Sequence, residues 1–151
     1  MTNGLVQSSV MGVMCAFIGV LVGALFMDSP GEGWQWLPLL AGLSAFASGT
    51  LCWRVFVARH RHSNIGGGVL AGVATALIAH YGTFYLLIVK GNIAYWTYGT
   101  VSSLGEPPID LVDGIVGAAA FTFFSYLFVG WFTIPAGAAI GGLYARYLNK
   151  R

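Results

Sequence analysis

His80 is the ionisable residue of this chain that lies deepest in an apolar stretch. The stretch from residue 65 to residue 89 is long enough to cross a bilayer, and His80 is close to its centre. An ionisable group at that depth is costly, so it is by default a functional hypothesis. His80 also continues a four-residue spacing of small residues, Gly68, Gly72 and Ala76. We therefore expect the imidazole to face a neighbouring helix and not lipid.

Three kinds of chemistry are open to such a histidine. A neutral imidazole could donate one hydrogen bond across a helix interface and stabilise the bundle. An imidazole that titrates near the unperturbed pKa of ~6.5 could gate or relay protons along a polar pathway. Two copies from two protomers could ligate a haem or a metal ion. Candidate hydroxyl partners lie on the same stretch and the preceding one, at Tyr81, Thr83, Tyr85, Ser44, Ser48 and Thr50. For a pathway we expect a lining of His80, Thr83, Ser44 and Ser48.

A second group of chemically capable residues flanks the loop between the third and fourth apolar stretches. Lys90 follows the third stretch, and Asp110 and Asp113 follow the prolines that open the fourth. Positive charge at a helix C-terminus and negative charge at an N-terminus both suit the helix dipole, so a structural role explains all three. The alternative is an outer vestibule, in which the two carboxylates concentrate cations.

Catalytic and metal-binding patterns are missing from the sequence. No carboxylate lies deep in an apolar stretch, and no HExxH, GxSxG or phosphate-loop spacing occurs. Cys15 and Cys52 lie singly in apolar stretches, where reduced cysteines pack as small hydrophobic residues. His60 and His62 alternate with arginines, whose charge opposes metal binding, so contact with solvent or anionic lipid is expected. The sequence predicts no enzyme, no metal, no cofactor and, at a net charge of +2, no nucleic-acid partner.

The elements that must position these residues are long apolar helices. Hydrophobic residues make up 57% of the 151-residue chain and charged residues 8%, against ~25% charged in soluble proteins. This composition predicts a single all-α integral membrane domain over residues 1–151, surrounded by lipid. A helix needs ~20 residues to cross a bilayer. Four stretches reach that length, at about 5–27, 36–57, 65–89 and 109–133.

The last apolar run continues beyond the fourth predicted span and contains Pro135. We predict a kink at this proline, followed by a C-terminal helix at about 136–148 that leaves through the inner interface. A re-entrant or interfacial segment is the alternative. In the loop of residues 90–108, the aromatic segment 95–98 is predicted to lie on the membrane surface or to cap the bundle.

The charged and aromatic residues predict one orientation. Basic residues favour the cytoplasmic side of a membrane, and four spans place six of them on one face: Arg54, Arg59, Arg61, Arg146, Lys150 and Arg151. The acidic residues fall on the other face, namely Asp28, Glu32, Glu106, Asp110 and Asp113. Aromatic residues mark the outer interface at Trp34, Trp36, Tyr95, Trp96 and Tyr98, and the inner one at Trp53, Tyr144 and Tyr147. We therefore predict a plasma (inner) membrane protein with both termini in the cytoplasm, and Lys90 is the exception to the charge pattern.

Small residues at four-residue spacing predict where the helices touch, because close packing drives helix association in lipid. Each predicted helix has at least one such pair, and the glycine pairs are Gly19 and Gly23, Gly68 and Gly72, and Gly137 and Gly141. A surplus of such Gly-rich packing faces would indicate self-association.

Two functions are compatible with these patterns. The first is a small channel or transporter that acts as a homo-oligomer, with a polar pathway near His80. The alternative is a non-catalytic accessory or assembly subunit of a larger membrane complex, whose glycine faces bind the helices of other membrane subunits.

Overall fold

The computed structural model describes residues 4–28, 33–58, 64–102 and 104–150. Within these ranges every element of regular secondary structure is helical. A 3₁₀ turn at Trp34–Trp36 leads into the second helix, and π-helical turns follow the second and fourth helices at Arg54–Ala58 and Tyr126–Gly130. The helices are α1 (Gly4–Phe26), α2 (Leu37–Trp53), α3 (Ile65–Tyr98), α4 (Asp113–Ser125) and α5 (Trp131–Asn149).

Within the described ranges, four helical segments are long and apolar enough to cross a membrane: Gly4–Phe26, Trp34–Ala58, Ile65–Tyr98 and Asp113–Asn149. The prediction of an all-helical chain with four potential spans is therefore confirmed. The fourth segment joins α4, the π-helical turn and α5 into one rod of 37 residues. At 1.5 Å per residue this rod is about 55 Å long, well beyond the ~30 Å of a hydrocarbon core.

The third helix is longer than the span predicted for it. The apolar stretch ends near residue 89, but α3 continues through Lys90 and Gly91 to Tyr98. A glycine inside a helix costs only ~1 kcal/mol relative to alanine, and Asn92 adds two hydrogen bonds. Its side-chain amide donates to the Ile88 carbonyl at 3.0 Å and to the Ile109 carbonyl at 2.7 Å. The predicted surface segment 95–98 is therefore the last turn of a helix.

A capping residue ends the third helix, and another precedes the fourth. Gly99, with φ of 65°, ends α3 in the left-handed conformation that glycine adopts without steric cost. The fourth helix begins at Asp113, four residues later than predicted. The Asp110 carboxylate accepts hydrogen bonds from the backbone N–H groups of Val112 and Asp113 at 2.7 and 3.0 Å. These bonds favour the ionised form and hold the pKa of Asp110 below its usual range.

Pro135 lies inside α5, and the helix continues on both sides of it. Proline has no N–H, so it cannot donate to the carbonyl group of Trp131. The backbone pairing changes immediately before that point, where the Tyr126–Gly130 segment forms the π-helical turn. The segment after Pro135 thus extends the fourth rod, and the kink at this residue stays a prediction.

The helices pack in chain order, with α3 at the centre. Helix α1 packs along α2, α2 packs on α3, and α3 packs on both α5 and α4, whereas α1 makes only a few contacts with α5. Gly4 at the start of α1 lies beside Ala58, and Gly68 near the start of α3 lies beside Ala145. We call this end of the bundle, which holds both ends of the described chain, the terminal end. The opposite end is the distal end.

The core of the bundle lies near the terminal end. Met11, Trp53, Ala71 and Ala145 have no exposed surface there. Trp53 is predicted at the inner membrane interface together with Tyr144, and the structure buries its ring against that of Tyr144, with 4.8 Å between the ring centroids. The residues of the arginine and histidine cluster at 59–62, together with Glu32 and Arg151, lie outside the described residues.

Candidate functional site around His80

His80 joins the middle of α3 to both halves of the fourth rod. Its Nδ1 atom lies 2.7 Å from Oγ of Ser125, at the end of α4, and its Nε2 atom lies 2.8 Å from Oγ1 of Thr133, in α5. Both ring nitrogens are therefore within hydrogen-bond distance of a hydroxyl group. The imidazole is half-buried between these helices.

One arrangement of protons satisfies the ring and both of its hydroxyl partners. The Thr133 hydroxyl lies 3.2 Å from the Val129 carbonyl oxygen, and when it donates there it accepts a hydrogen bond from Nε2–H of His80. The Ser125 hydroxyl then donates to Nδ1. A neutral imidazole protonated on Nε2 satisfies every one of these groups. If the ring gained a proton, Ser125 could rotate its own proton away and accept from Nδ1–H.

The π-helical turn explains how two residues of one rod reach both edges of the ring. Ser125 and Thr133 are eight residues apart, which is about 80° around a regular α-helix of 3.6 residues per turn. A π-helical turn accommodates one extra residue, so the separation counts as seven residues and falls within about 20° of the same face. The backbone irregularity before Pro135 thus aligns the two hydroxyl groups.

Aromatic residues hold the imidazole in place. The ring of Tyr126 meets that of His80 edge to face, with 5.2 Å between centroids. The Tyr126 hydroxyl donates to the Leu77 carbonyl at 2.7 Å, one turn before His80. Phe84 and Phe121 stack at 5.8 Å on the distal side of this contact. The interface of α3 with the fourth rod is therefore fixed on both sides of the histidine.

His80 lines a half-open cavity of about 340 Å³, and all four helical segments contribute residues to its wall. The cavity runs from the distal halves of α1 and α2 to the middle of α3 and the fourth rod. Its wall is mainly apolar, with Ile18, Val22, Phe26, Phe121, Phe124 and Phe128 among its residues. Two threonines of the wall, Thr75 and Thr83, donate their hydroxyl protons to carbonyl groups of their own helix. The polar centre of the wall is thus His80 with Ser125 and Thr133.

The four residues predicted to form a pathway divide into two pairs. His80 and Thr83 line the cavity, whereas Ser44 and Ser48 do not. Ser44 is buried between α2 and α3, where its hydroxyl donates to the Ala79 carbonyl at 2.9 Å. Ser48 is also buried and donates to the Ser44 carbonyl at 2.7 Å. These two serines make helix-packing contacts behind the cavity wall.

The three residues predicted to form an outer vestibule do not lie in one site. Lys90 lines a second cavity of about 460 Å³ at the distal end, and its ammonium lies 5.4 Å from the ring centroid of Trp36. Asp110 and Asp113 are exposed and line neither cavity. The structure therefore places the lysine in a different environment from the two carboxylates.

Sequence reasoning missed the two hydroxyl partners of His80. It considered hydroxyl groups on α2 and α3, but Thr83 donates to the Ala79 carbonyl of its own helix. A usable signal was present in the run from residue 114 to residue 144. That run holds few polar side chains, and Ser125 and Thr133 are two of them. Polar side chains at membrane depth form hydrogen bonds across helices, so these two residues were candidate partners for His80.

The predicted glycine pairs lie where backbones approach closely. A Cβ atom added to Gly72 would overlap the Gly137 carbonyl group, and one added to Gly68 would overlap that of Gly141. At Gly19 the added atom would lie 2.6 Å from the Ala41 carbonyl oxygen. At Gly23 it would lie 2.7 Å from Cα of Pro38. All these contacts are between helices of the same chain.

Metal binding finds no support in the part of the chain that the structure describes. No group of three or more His, Cys, Asp or Glu side chains could hold a metal ion there. Cys15 and Cys52 are free and buried. Ligation of a haem or metal by His80 would have to break one of its two hydroxyl contacts.

The arrangement as a whole is a mainly apolar cavity with one hydroxyl-bonded imidazole in its wall. Such a site can hold a small molecule and offer it a polar contact. Comparison of the chain with known protein families, with curated proteins and with solved structures finds no match.

Proposed function

We propose that this chain is a small membrane transport protein that binds a mainly apolar solute in the cavity beside His80. The cavity carries the proposal: it has about 340 Å³, all four helical segments line it, and a histidine lies in its wall. Ligand sites typically have ~300–1,000 Å³, apolar walls and a few placed polar groups. The chamber meets each of these criteria.

The lining favours a carried solute over a conducted ion. An ion path needs groups that replace water around the ion. Here the wall is mainly apolar, and few of its residues bear a hydroxyl or imidazole group: Thr75, His80, Thr83, Ser125 and Thr133. Among the described residues, no carboxylate lines either cavity. The acidic outer vestibule is therefore not part of the proposal.

An entrance from the bilayer follows from the packing of the helices. Helix α1 packs on α2 and touches the fourth rod only weakly, through α5. On the distal half, the cavity wall consists of Ile18 and Val22 on one side and Phe124 and Phe128 on the other. A solute that is dissolved in the lipid can enter between these side chains, because the walls are as apolar as the hydrocarbon.

The proposal includes the predicted topology. In it, the terminal end faces the cytoplasm of a plasma-membrane protein, the glycine faces hold the bundle together, and Pro135 kinks the fourth rod. The helices of one chain supply the whole lining of the cavity, so the proposal places one solute site in each chain. Assembly into a homo-oligomer, and the alternative role as an accessory subunit, stay predictions. Purification in mild detergent tests both, because fixed co-purifying membrane subunits would favour the accessory role.

The proposal is tested with a substitution that fills part of the cavity with a larger side chain. Val22→Trp places a large ring in the cavity wall, and Leu21→Trp places the same ring on the neighbouring position, which is 52% exposed and does not line the cavity. A small apolar diazirine probe should label residues of the cavity wall in the unmodified protein and in Leu21→Trp. Labelling of the same residues should fall strongly in Val22→Trp.

Flux is measured with the same variants in liposomes that contain only this protein. We expect uptake of small apolar solutes by the unmodified protein and Leu21→Trp, and little by Val22→Trp. If the unmodified protein carries no solute between about pH 5 and about pH 8, where histidine changes charge, the transport proposal is wrong. Equal labelling of both tryptophan variants would remove the cavity as the binding site.

A further inference from the structure

The two cavities of the bundle share part of their lining. Trp34, Phe84 and Phe121 line both the inner cavity beside His80 and the outer cavity beside Lys90. One face of α3 forms the floor of both, because His80, Thr83, Phe84, Leu87 and Lys90 follow one another at steps of one to four residues along a helical stripe. His80 and Lys90 are ten residues apart, about 15 Å along the helix axis.

The outer cavity differs from the inner one in having a charge. Lys90 lines it, and the ammonium lies over the face of Trp36, which leaves its N–H groups available for an acceptor. Ser102 also lines this cavity, and its oxygen accepts a hydrogen bond from the Glu106 backbone N–H at 3.2 Å. The Ser102 hydroxyl proton can therefore donate to a ligand. Lysine and serine together suit an anionic group.

We infer that the solute is a fatty acid, whose carboxylate binds Lys90 and Ser102 in the outer cavity and whose chain extends toward His80 in the inner one. This inference rests on the proposed function. The position of the cation at the distal end of α3 matches the head group of an amphiphile that enters from the lipid. The apolar lining between Phe84 and His80 suits the hydrocarbon chain of the fatty acid.

The number and size of the groups favour this class over other anionic lipids. Among the described residues that line the cavities, Lys90 is the one cation, and it balances the single charge of a carboxylate. A phosphate monoester carries ~1.5–2 negative charges at pH 7. The cavities, of about 460 and 340 Å³, are in the range of single small ligands and not of two-chain lipids.

The inference is tested by the binding of three probes that share one hydrocarbon chain and differ in their head group: palmitate, hexadecyl phosphate and hexadecanol. In the unmodified protein, we expect palmitate to bind about ten-fold more tightly than hexadecanol, because a hydrogen bond to a charged group contributes more than one to a neutral group. Lys90→Gln should remove that preference and leave hexadecanol binding unchanged. Lys90→Arg should retain it, and Lys150→Gln, which changes an exposed lysine remote from the cavities, is the matched control.

The outcomes separate this inference from the proposed function. If palmitate and hexadecanol bind equally to the unmodified protein, or if Lys90→Gln keeps the preference, the fatty-acid assignment is wrong and the cavity proposal stands. Tighter binding of hexadecyl phosphate than of palmitate overturns the choice of a carboxylate. If Val22→Trp leaves the binding of all three probes unchanged, the chain does not enter the inner cavity, and the proposed function fails with it.

Discussion

A double-mutant cycle can measure the hydrogen bonds that hold His80 to the fourth rod. The variants are His80→Ala, Ser125→Ala, Thr133→Val and the two corresponding double variants. Ser125→Ala leaves Nδ1 of the ring without the hydroxyl that lies at 2.7 Å, and Thr133→Val leaves Nε2 without the one at 2.8 Å. Threonine and valine have similar shapes, so the second change removes mainly the hydroxyl group.

The expected energies follow from hydrogen bonds measured between membrane helices. Such bonds contribute about 0.6 kcal/mol on average and up to about 1.7 kcal/mol. Both contacts of His80 are short and half-buried, so we expect coupling of about 0.6–1.7 kcal/mol between His80 and each hydroxyl residue. His80→Ala should cost more than either coupling, because it also leaves a space in the packing.

Unfolding in mixtures of sodium dodecyl sulfate and dodecyl maltoside, followed by tryptophan fluorescence, measures the free energy of unfolding of each variant. Thr122→Val is the matched control. The Thr122 hydroxyl is buried, but it donates to the Ala118 carbonyl of its own helix at 2.7 Å. Its effect should add to that of His80→Ala within about 0.5 kcal/mol. If Ser125→Ala and Thr133→Val are also additive with His80→Ala, the assigned contacts do not contribute to stability, and the reasoning is refuted.

Two further predictions concern helix contacts and capping. Gly72→Ala should lower the free energy of unfolding by about 1–3 kcal/mol, because its Cβ would overlap the Gly137 carbonyl group. Gly117→Ala should be neutral or stabilising, since the nearest atom to its Cβ lies at 3.8 Å. Equal effects of the two substitutions would contradict the close approach of Gly72 to Gly137. The Asp110 carboxylate has a lowered pKa, so its contribution to the start of α4 is present above the unfolded-state pKa and is lost as the pH falls through the lower folded value. The amide signal of Val112 in an NMR titration should shift in that acidic range, and it should not shift in Asp110→Asn, which keeps the acceptor oxygen but does not titrate.

The proposed solute site and the fatty-acid inference depend on different residues and can fail separately. The first requires the inner chamber around His80, which the Val22→Trp variant closes. The second also requires Lys90 and the outer cavity. Phe84 and Phe121 line both cavities, so both proposals depend on these two residues.

The sequence by itself determined the helical class and the four apolar segments. Both depend on local properties, since ~20 consecutive apolar residues are enough to define a segment of membrane-spanning length. Local reasoning was less successful at helix ends. The continuation of α3 to Tyr98 depends on Asn92, whose amide reaches a carbonyl group 17 residues further along the chain, that of Ile109.

The tertiary structure decided which residues meet. The partners of His80 lie 45 and 53 residues away, and the rotation of the fourth rod about its axis brings them to the ring. That rotation depends on the π-helical turn before Pro135 and on the contact of Gly72 with Gly137. The burial of Trp53 also depends on packing, since hydrophobicity alone does not show that its ring contacts that of Tyr144. The cavity arises for the same reason, because residues of four helical segments line it and no single segment defines it.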